Sequence, residues 1–225
     1  MNEVVLSETP VQITTVVSEM FAENAYILHL GDRNDCIVID PSFDTMSILQ
    51  YLSKNGLTVS AILNTHGHTD HIVGNDTIKG QFPDAPLIIG VGDSPKLTDP
   101  QLNLSASYGL EIVSPIADQT VVHGEVIEFA GIRLETRNTP GHSCGHVVWI
   151  CHETTPTVAI NGDVLFAGSV GRTDFPDGSF EVLEQSIREQ LYTLPDETLV
   201  LTGHGDRTTI GCEKQTNPFV SESLT

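Results

Sequence analysis

Three of the chain's nine histidines fall within six positions, in Thr65-His66-Gly67-His68-Thr69-Asp70-His71, and Asp70 sits among them. Imidazole nitrogen and carboxylate oxygen are suitable donors for Zn²⁺, Fe²⁺ or Mn²⁺. The run Thr58–Asn64 reads as a buried strand and leads straight into this stretch, so the donors sit on a loop anchored by rigid structure. A tight loop can point alternate side chains in different directions. His66 and His68 can therefore share one ion while Asp70 and His71 face a second, as in hydrolytic sites whose two metals lie ~3.5–4 Å apart. The competing reading is a polar surface loop with chance histidines. Three His and one Asp together at a strand end weigh against it.

The loop cannot complete two coordination spheres alone. Three further candidates share one pattern, a strand end flanked by glycine: His142 in Thr139-Pro140-Gly141-His142, Asp163 in Asn161-Gly162-Asp163, and His204 in Gly203-His204-Gly205. Glycine lets the backbone approach and turn beside a crowded ion. Singly, Asp163 reads as well as a turn residue and His204 as a loop residue; the set points to metal. His146 starts a strand and is expected to be packed or exposed, and His29, His123 and His152 have no supporting neighbours.

Those positions require strands to carry them. Strands are expected at Val11–Val17, Ala25–Leu30, Cys36–Asp40, Thr58–Asn64, Pro86–Ile89, Val126–Phe129, Ile132–Asn138, His146–Ile150, Thr157–Asn161 and Thr198–Thr202. A helix is expected over Thr45–Lys54, with Asp44 as N-cap and Gly56 past its end, and another from about Val73–Asp76. The clearest helix is Glu181–Leu194, capped by Ser179 and stopped by Pro195, with Leu183, Ile187, Leu191 and Leu194 on one face. Residues 94–116 carry Pro95, Gly109 and further prolines and read as loops and short helices. Two blocks of strands, each followed by helix, suggest two sheets face to face with helices outside.

The 225 residues fit a single domain, 1–225, and 39% hydrophobic content is enough to bury a core. The formal charge of −20 repels nucleic acid and anionic membranes, so neither is an expected partner; scattered acids serve solubility. The start Met1-Asn2-Glu3-Val4-Val5 has no basic or apolar leader pattern, and no apolar run approaches the ~20 residues of a membrane span. Cys36, Cys144, Cys151 and Cys212 form no C-x-x-C pair and read as reduced thiols in a cytoplasmic chain, with a disulfide left open by spacing. Cys144 is expected as a small buried thiol. Nothing in the pattern bears on oligomeric state.

These residues resemble the metallo-β-lactamase superfamily, and within it the glyoxalase II-like hydrolases. The resemblance runs through Asn24-Ala25-Tyr26, Ile39-Asp40-Pro41, the Thr65–His71 loop, Thr139–His142, Gly162-Asp163 and Gly203-His204-Gly205. The stretches Leu165–Pro176 and Thr208-Thr209-Ile210-Gly211 with Asn217-Pro218-Phe219 are similar to a short subgroup. It implies an α+β fold, a four-layer αββα sandwich of two mixed sheets, with the site at the rim between them. It implies two divalent metals, Zn first with Fe or Mn as alternatives. His66, His68, His142 and Asp163 would bind the first; Asp70, His71 and His204 the second, with Asp163 bridging. Asp70 would also orient the hydroxide held between the ions. Asp40 would accept a ring N–H of a ligand imidazole, or else only shape a strand-end turn with Pro41. Arg172 and Asp174 would pair to shape a loop, or Arg172 would meet an anionic substrate.

The implied reaction is hydrolysis of a small-molecule thioester or related ester, needing no Ser or Cys nucleophile. The larger glyoxalase II enzymes carry a C-terminal helical domain that supplies glutathione-binding groups, and too little chain follows His204 here for one. A true β-lactamase is disfavoured, because many carry Cys where this chain has Asp163. The alternative of a different class is a mononuclear iron persulfide dioxygenase, similar at Gly171-Arg172-Thr173-Asp174, with iron on His66, His142 and Asp163. A scaffold that lost activity predicts broken ligand positions, and none is broken. Substrate contacts are expected from residues 94–116 and 168–179.

Overall fold

The computed structural model describes residues 2–4 and 10–221. Seven strands hydrogen-bond in chain order. β1 (Asn2–Val4), β2 (Val11–Val17), β3 (Asn24–Leu30) and β4 (Asp35–Ile39) each run antiparallel to the next, and β5 (Thr58–Leu63), β6 (Leu87–Gly90) and β7 (Gln119–Val121) continue parallel to β4. β3 and β5 are apolar on both faces because both faces are covered, as continuous hydrophobic runs in a layered fold require. The second sheet runs β15-β14-β11-β10-β9-β8. It is built from β8 (Val126–Phe129), β9 (Ile132–Asn138), β10 (Val147–Cys151), β11 (Val158–Gly162), β14 (Leu199–Thr202) and β15 (Thr208–Thr209). Its pairs are antiparallel except β11 with β14, so both sheets are mixed. β12 (Leu165–Phe166) and β13 (Ser169–Val170) form a separate hairpin.

The core has three layers. Between the sheets, Ile13, Leu28, Ile37, Ile39 and Leu63 of the first meet Leu134, Trp149, Ile160 and Leu201 of the second. Outside the first sheet, α1 (Thr45–Asn55) seats Ile48 and Leu52, and α3 (Asn75–Gln81) seats Ile78. Outside the second, α4 (Phe180–Ser186) and α5 (Ile210–Thr216) seat Leu183 and Ile210, joined by Ile187, Leu191 and Leu194. The architecture is therefore the expected four-layer αββα sandwich.

Two local expectations need correction, and some short elements were not foreseen. Asp44 does not cap α1 through its side chain; Asp44 Oδ2 instead accepts from Glu19 N at 2.6 Å. The helix expected to begin near Val73–Asp76 is α3, which starts at Asn75 after Gly74; the short α2 (Thr69–Ile72), which carries Asp70 and His71, was not foreseen. The long helix expected to Leu194 is α4 plus one π turn, Ile187–Leu191, and the widened turn still buries the expected Leu/Ile face. β7 and α5 were not evident as elements, since Gln119–Val121 is only three residues and α5 follows the polar stretch at 205–209. Ser179 caps α4 as expected, accepting from Val182 N at 3.4 Å.

Candidate metal centre

All seven sequence-selected donors, with Asp40, lie at the C-terminal ends of strands along one rim. Asp40 follows β4, the His-rich loop follows β5, His142 follows β9, Asp163 follows β11 and His204 follows β14. The two sheets are tied at that rim by main chain: Val147 N donates to Thr65 O and Asn24 N to Gly203 O, both at 2.8 Å, while Gly203 N donates to Gly162 O at 2.8 Å within the second sheet. Tyr26 Oη and Asn24 Nδ2 both donate to Thr202 O, at 2.6 and 3.0 Å, which accounts for the Asn24-Ala25-Tyr26 stretch structurally.

Donor atoms converge in three overlapping groups: His66 with His68 and His142; His66 with His71 and Asp163; and Asp70 with His71 and His204. Within each group the donor atoms lie within 4.8 Å of one another. Every ring but one is anchored through Nδ1. His66 Nδ1 meets Thr65 Oγ1 at 3.1 Å, whose hydroxyl is already spent on Asp40 Oδ2 at 2.7 Å, so the imidazole donates. His71 Nδ1 donates to Asp40 Oδ2 at 3.0 Å, His142 Nδ1 to Arg172 O at 2.8 Å and His204 Nδ1 to Phe21 O at 3.0 Å. Acceptors at Nδ1 assign a proton there and leave Nε2 as the atom facing the centre, where a cation can take the lone pair or displace the proton that nearby carboxylates attract. His68 is the exception and turns Nδ1 inward, 2.9 Å from His142 Nε2. The inward atoms His66 Nε2, His71 Nε2 and Asp163 Oδ1 are buried without any hydrogen-bond partner. Such atoms are costly unless something fills the gap, and a divalent cation fits N and O donors placed in this way.

Charge divides the centre in two. Burial, reinforced by neighbouring imidazoles, holds His66 and His68 far below the ordinary histidine range, and burial also lowers His142, so these are neutral donors. Burial pushes Asp163 upward, but His71, His204 and His142 outweigh it and leave the carboxylate ionised. Burial likewise opposes Asp70, and His71 and His204 win. His71 is driven down by burial and lifted to about 10 by Asp70, Asp163 and Asp40; hydrogen bonds to Asp163 and Asp70 lift His204 to about 11. Where carboxylates make a proton this welcome, a metal dication is welcome as well.

Several supporting residues escaped the sequence reading. Asp93, buried just past β6, accepts from Gly67 N at 2.8 Å, Ser143 Oγ at 2.7 Å and Gly145 N at 2.7 Å, so one carboxylate joins the His66–His68 turn to the His142 loop. Its signal was present: an acid after a strand, beside Gly92. A Cβ at Gly145 would collide with Asp93 N, and one at Gly203 would collide with Asp163 Oδ1. His146 is fully buried and stacked on His66, with centroids 4.8 Å apart, and its Nε2 accepts from Asp163 N at 3.2 Å. Glu23 lies 3.7 Å from His71 Nδ1 with both oxygens unpartnered, and burial raises its carboxyl well above the ordinary range. Nothing in its sequence neighbourhood marked it. Cys144, expected buried, is exposed, because the His142 loop turns it outward beside Asp93 and Asp177. Arg172 and Asp174 pair in two bonds of 2.9 Å.

A cavity of about 310 Å³ opens onto the donors. Residues from both expected segments border it: Asn103, Leu104 and Tyr108 from one, Val170, Arg172 and Phe175 from the other. No helix of the described residues is long and apolar enough to cross a membrane.

Residues 19–204 match the family model described as the metallo-beta-lactamase superfamily. The chain is 39% identical over 199 residues to a probable metallo-hydrolase, YqgX, of Bacillus subtilis, covering 88% of this chain and 92% of that one. It is 36% identical over 204 residues to the hydroxyacylglutathione hydrolase GloC of Haemophilus influenzae, covering 89% and 94%. Among solved structures it is similar to the BLEG-1 B3 metallo-beta-lactamase, with TM-score 0.87, 33% identity and coverage of 92% and 99%. It is also similar to TTHA1623 in a di-iron-bound form, with TM-score 0.80, 33% identity and coverage of 92% and 99%.

Proposed function

The chain belongs to the metallo-beta-lactamase superfamily, and from that premise we propose that it is a metal-dependent hydrolase of a thioester. The observation that carries the proposal is the convergence of inward imidazole nitrogens on Asp70 and Asp163 beneath an open cavity. The likeness to GloC supports a thioester, and the likeness to a di-iron-bound structure supports two ions. In this reading His66, His68 and His142 hold one divalent cation, Asp70, His71 and His204 hold the other, and Asp163 serves both. Divalent cations held there would supply a water of lowered pKa, near ~7 in favourable sites, and a Lewis acid for a carbonyl.

The remaining work falls to the chain. Asp70, kept ionised, is the acceptor that orients the attacking water through its carboxylate. Asp40 holds His71 by its Nδ1–H and Thr65 by both N–H and O–H, fixing the approach of the donor atoms. Thiolate is a good leaving group, so no side chain has to deliver a proton to it.

Metal content of protein purified without added metal, with turnover of a thioester panel that includes S-lactoylglutathione, tests the reading. Close to two equivalents per chain with thioester turnover and no O₂ uptake is expected. One equivalent of iron with O₂ uptake on glutathione persulfide refutes it in favour of dioxygenation. Turnover of a penicillin without any thioester turnover refutes it in favour of lactam hydrolysis.

A further inference from the structure

We infer that the cavity before the metal centre selects a thioester carrying an uncharged aryl or similarly flat apolar group, and disfavours glutathione conjugates. The inference rests on the hydrolase reading and adds its substrate class.

The walls are aromatic. Phe175 packs edge-on against both His68 and His142, with centroids 5.0 and 5.6 Å apart, and Phe166 stands 6.2 Å from the His204 ring. Phe21 and Tyr108 meet edge to face at 5.5 Å, and Leu104 and Val170 also line the cavity. Phe21 and Tyr108 are 40% and 52% exposed, although side chains of this kind are ordinarily covered. Exposed aromatic edges rimming the mouth of a site offer a surface to an apolar ring, which prefers stacked or edge-to-face contact.

The charges point the same way. Arg172 is the one lysine or arginine among the described residues that lines the cavity. Its guanidinium is engaged twice, by Asp174 at 2.9 Å and over the Phe175 ring at 4.7 Å. Lys96 bonds to Asp177 at 2.6 Å and lines a neighbouring cleft instead. Glutathione brings two carboxylates and one ammonium. Away from the metal positions its carboxylates would have to compete with Asp174 for the single guanidinium at the cavity, and the chain's −20 field works against their approach.

The test is steady-state kcat/KM of the metal-loaded protein on two lactoyl thioesters, of benzyl mercaptan and of glutathione. Each value is divided by that thioester's alkaline hydrolysis rate to remove intrinsic reactivity. The benzyl thioester is expected to be preferred by about tenfold or more, through KM. Tyr108→Ala is expected to shrink that preference several-fold. Asp174→Asn, which frees Arg172, is expected to shift it toward the glutathione thioester. Equal or better turnover of S-lactoylglutathione by the unaltered protein overturns the inference and leaves the hydrolase reading standing. Turnover of neither thioester removes that reading, and the inference with it.

Discussion

Asp93→Asn should loosen the metal centre without touching a single donor. The carboxylate uses both oxygens: Oδ2 takes Gly67 N and Ser143 Oγ, while Oδ1 takes Gly145 N and, at longer range, Cys144 Sγ and Lys96 Nζ. An asparagine keeps the shape but offers one acceptor. If its carbonyl stays on the Gly67 and Ser143 side, its NH₂ confronts Gly145 N–H, and a buried donor loses its partner while two donors meet face to face. Leaving a buried group unsatisfied costs about 1–3 kcal/mol, and the weakening of two charge-assisted bonds adds to it. A loss of about 2–4 kcal/mol follows. At about 2–4 °C per kcal/mol for a chain of this size, Tm should fall by about 5–15 °C. Because Gly67 lies between His66 and His68, and Ser143 follows His142, affinity for Zn²⁺ should fall as well, by about 10–100-fold as when other supporting partners are removed. Urea or thermal unfolding of chelated protein measures the first effect, and competition with a chromogenic zinc chelator the second. An Asp93→Asn protein with wild-type midpoint and wild-type zinc competition refutes the idea that this carboxylate holds the two loops together.

Three further outcomes follow from the same geometry. Gly203→Ala places a methyl group against Asp163 Oδ1, so metal content by mass spectrometry should drop by at least one equivalent while the circular dichroism spectrum is retained; full metal content would contradict the close packing. Asp40→Asn removes the acceptor shared by Thr65 N, Thr65 Oγ1 and His71 Nδ1, and chelator competition should show metal held about 10–100-fold more weakly. The metal-free protein should lose stability as pH falls below about 6.5. His66, His68, His142 and His146 have folded values depressed below their unfolded ones, so the unfolded chain takes up protons the fold refuses, at up to about 1.4 kcal/mol per pH unit for each ring. Asp70 and Asp163, also depressed, keep their contribution through that window and lose it only at more acid pH. His71 and His204, raised to about 10 and about 11, act oppositely and give up their contribution as pH rises through those values. A urea midpoint that stays flat from pH 8 to 5.5 in chelator would show that the four rings are not held neutral.

The seven candidate donors, which the fold brings to one rim, and most strands were legible in the chain because each depends on local pattern. Apolar runs of strand length end in glycine-flanked histidine or aspartate, and such runs bury themselves regardless of partner. The helix face of Leu183, Ile187, Leu191 and Leu194 was legible for the same reason, while its passage into a π turn was not, since a one-residue widening leaves the apolar spacing nearly intact. What escaped depends on contacts across the two sheets. His146 looks like an ordinary strand residue until β10 lies beside the His-rich loop and its ring stacks on His66. Glu23 becomes a buried carboxyl only because β3 packs against the end of β14, where Asn24 N reaches Gly203 O. Asp93 gains its donors from two loops that are 76 positions apart at Gly67 and Ser143, and no local spacing encodes that meeting. The chain alone thus determined which groups could hold metal, since donor type and strand-end placement are local properties. Only the tertiary structure decided which nitrogen each imidazole turns inward and which charges surround it, because those follow from neighbours that folding brings together.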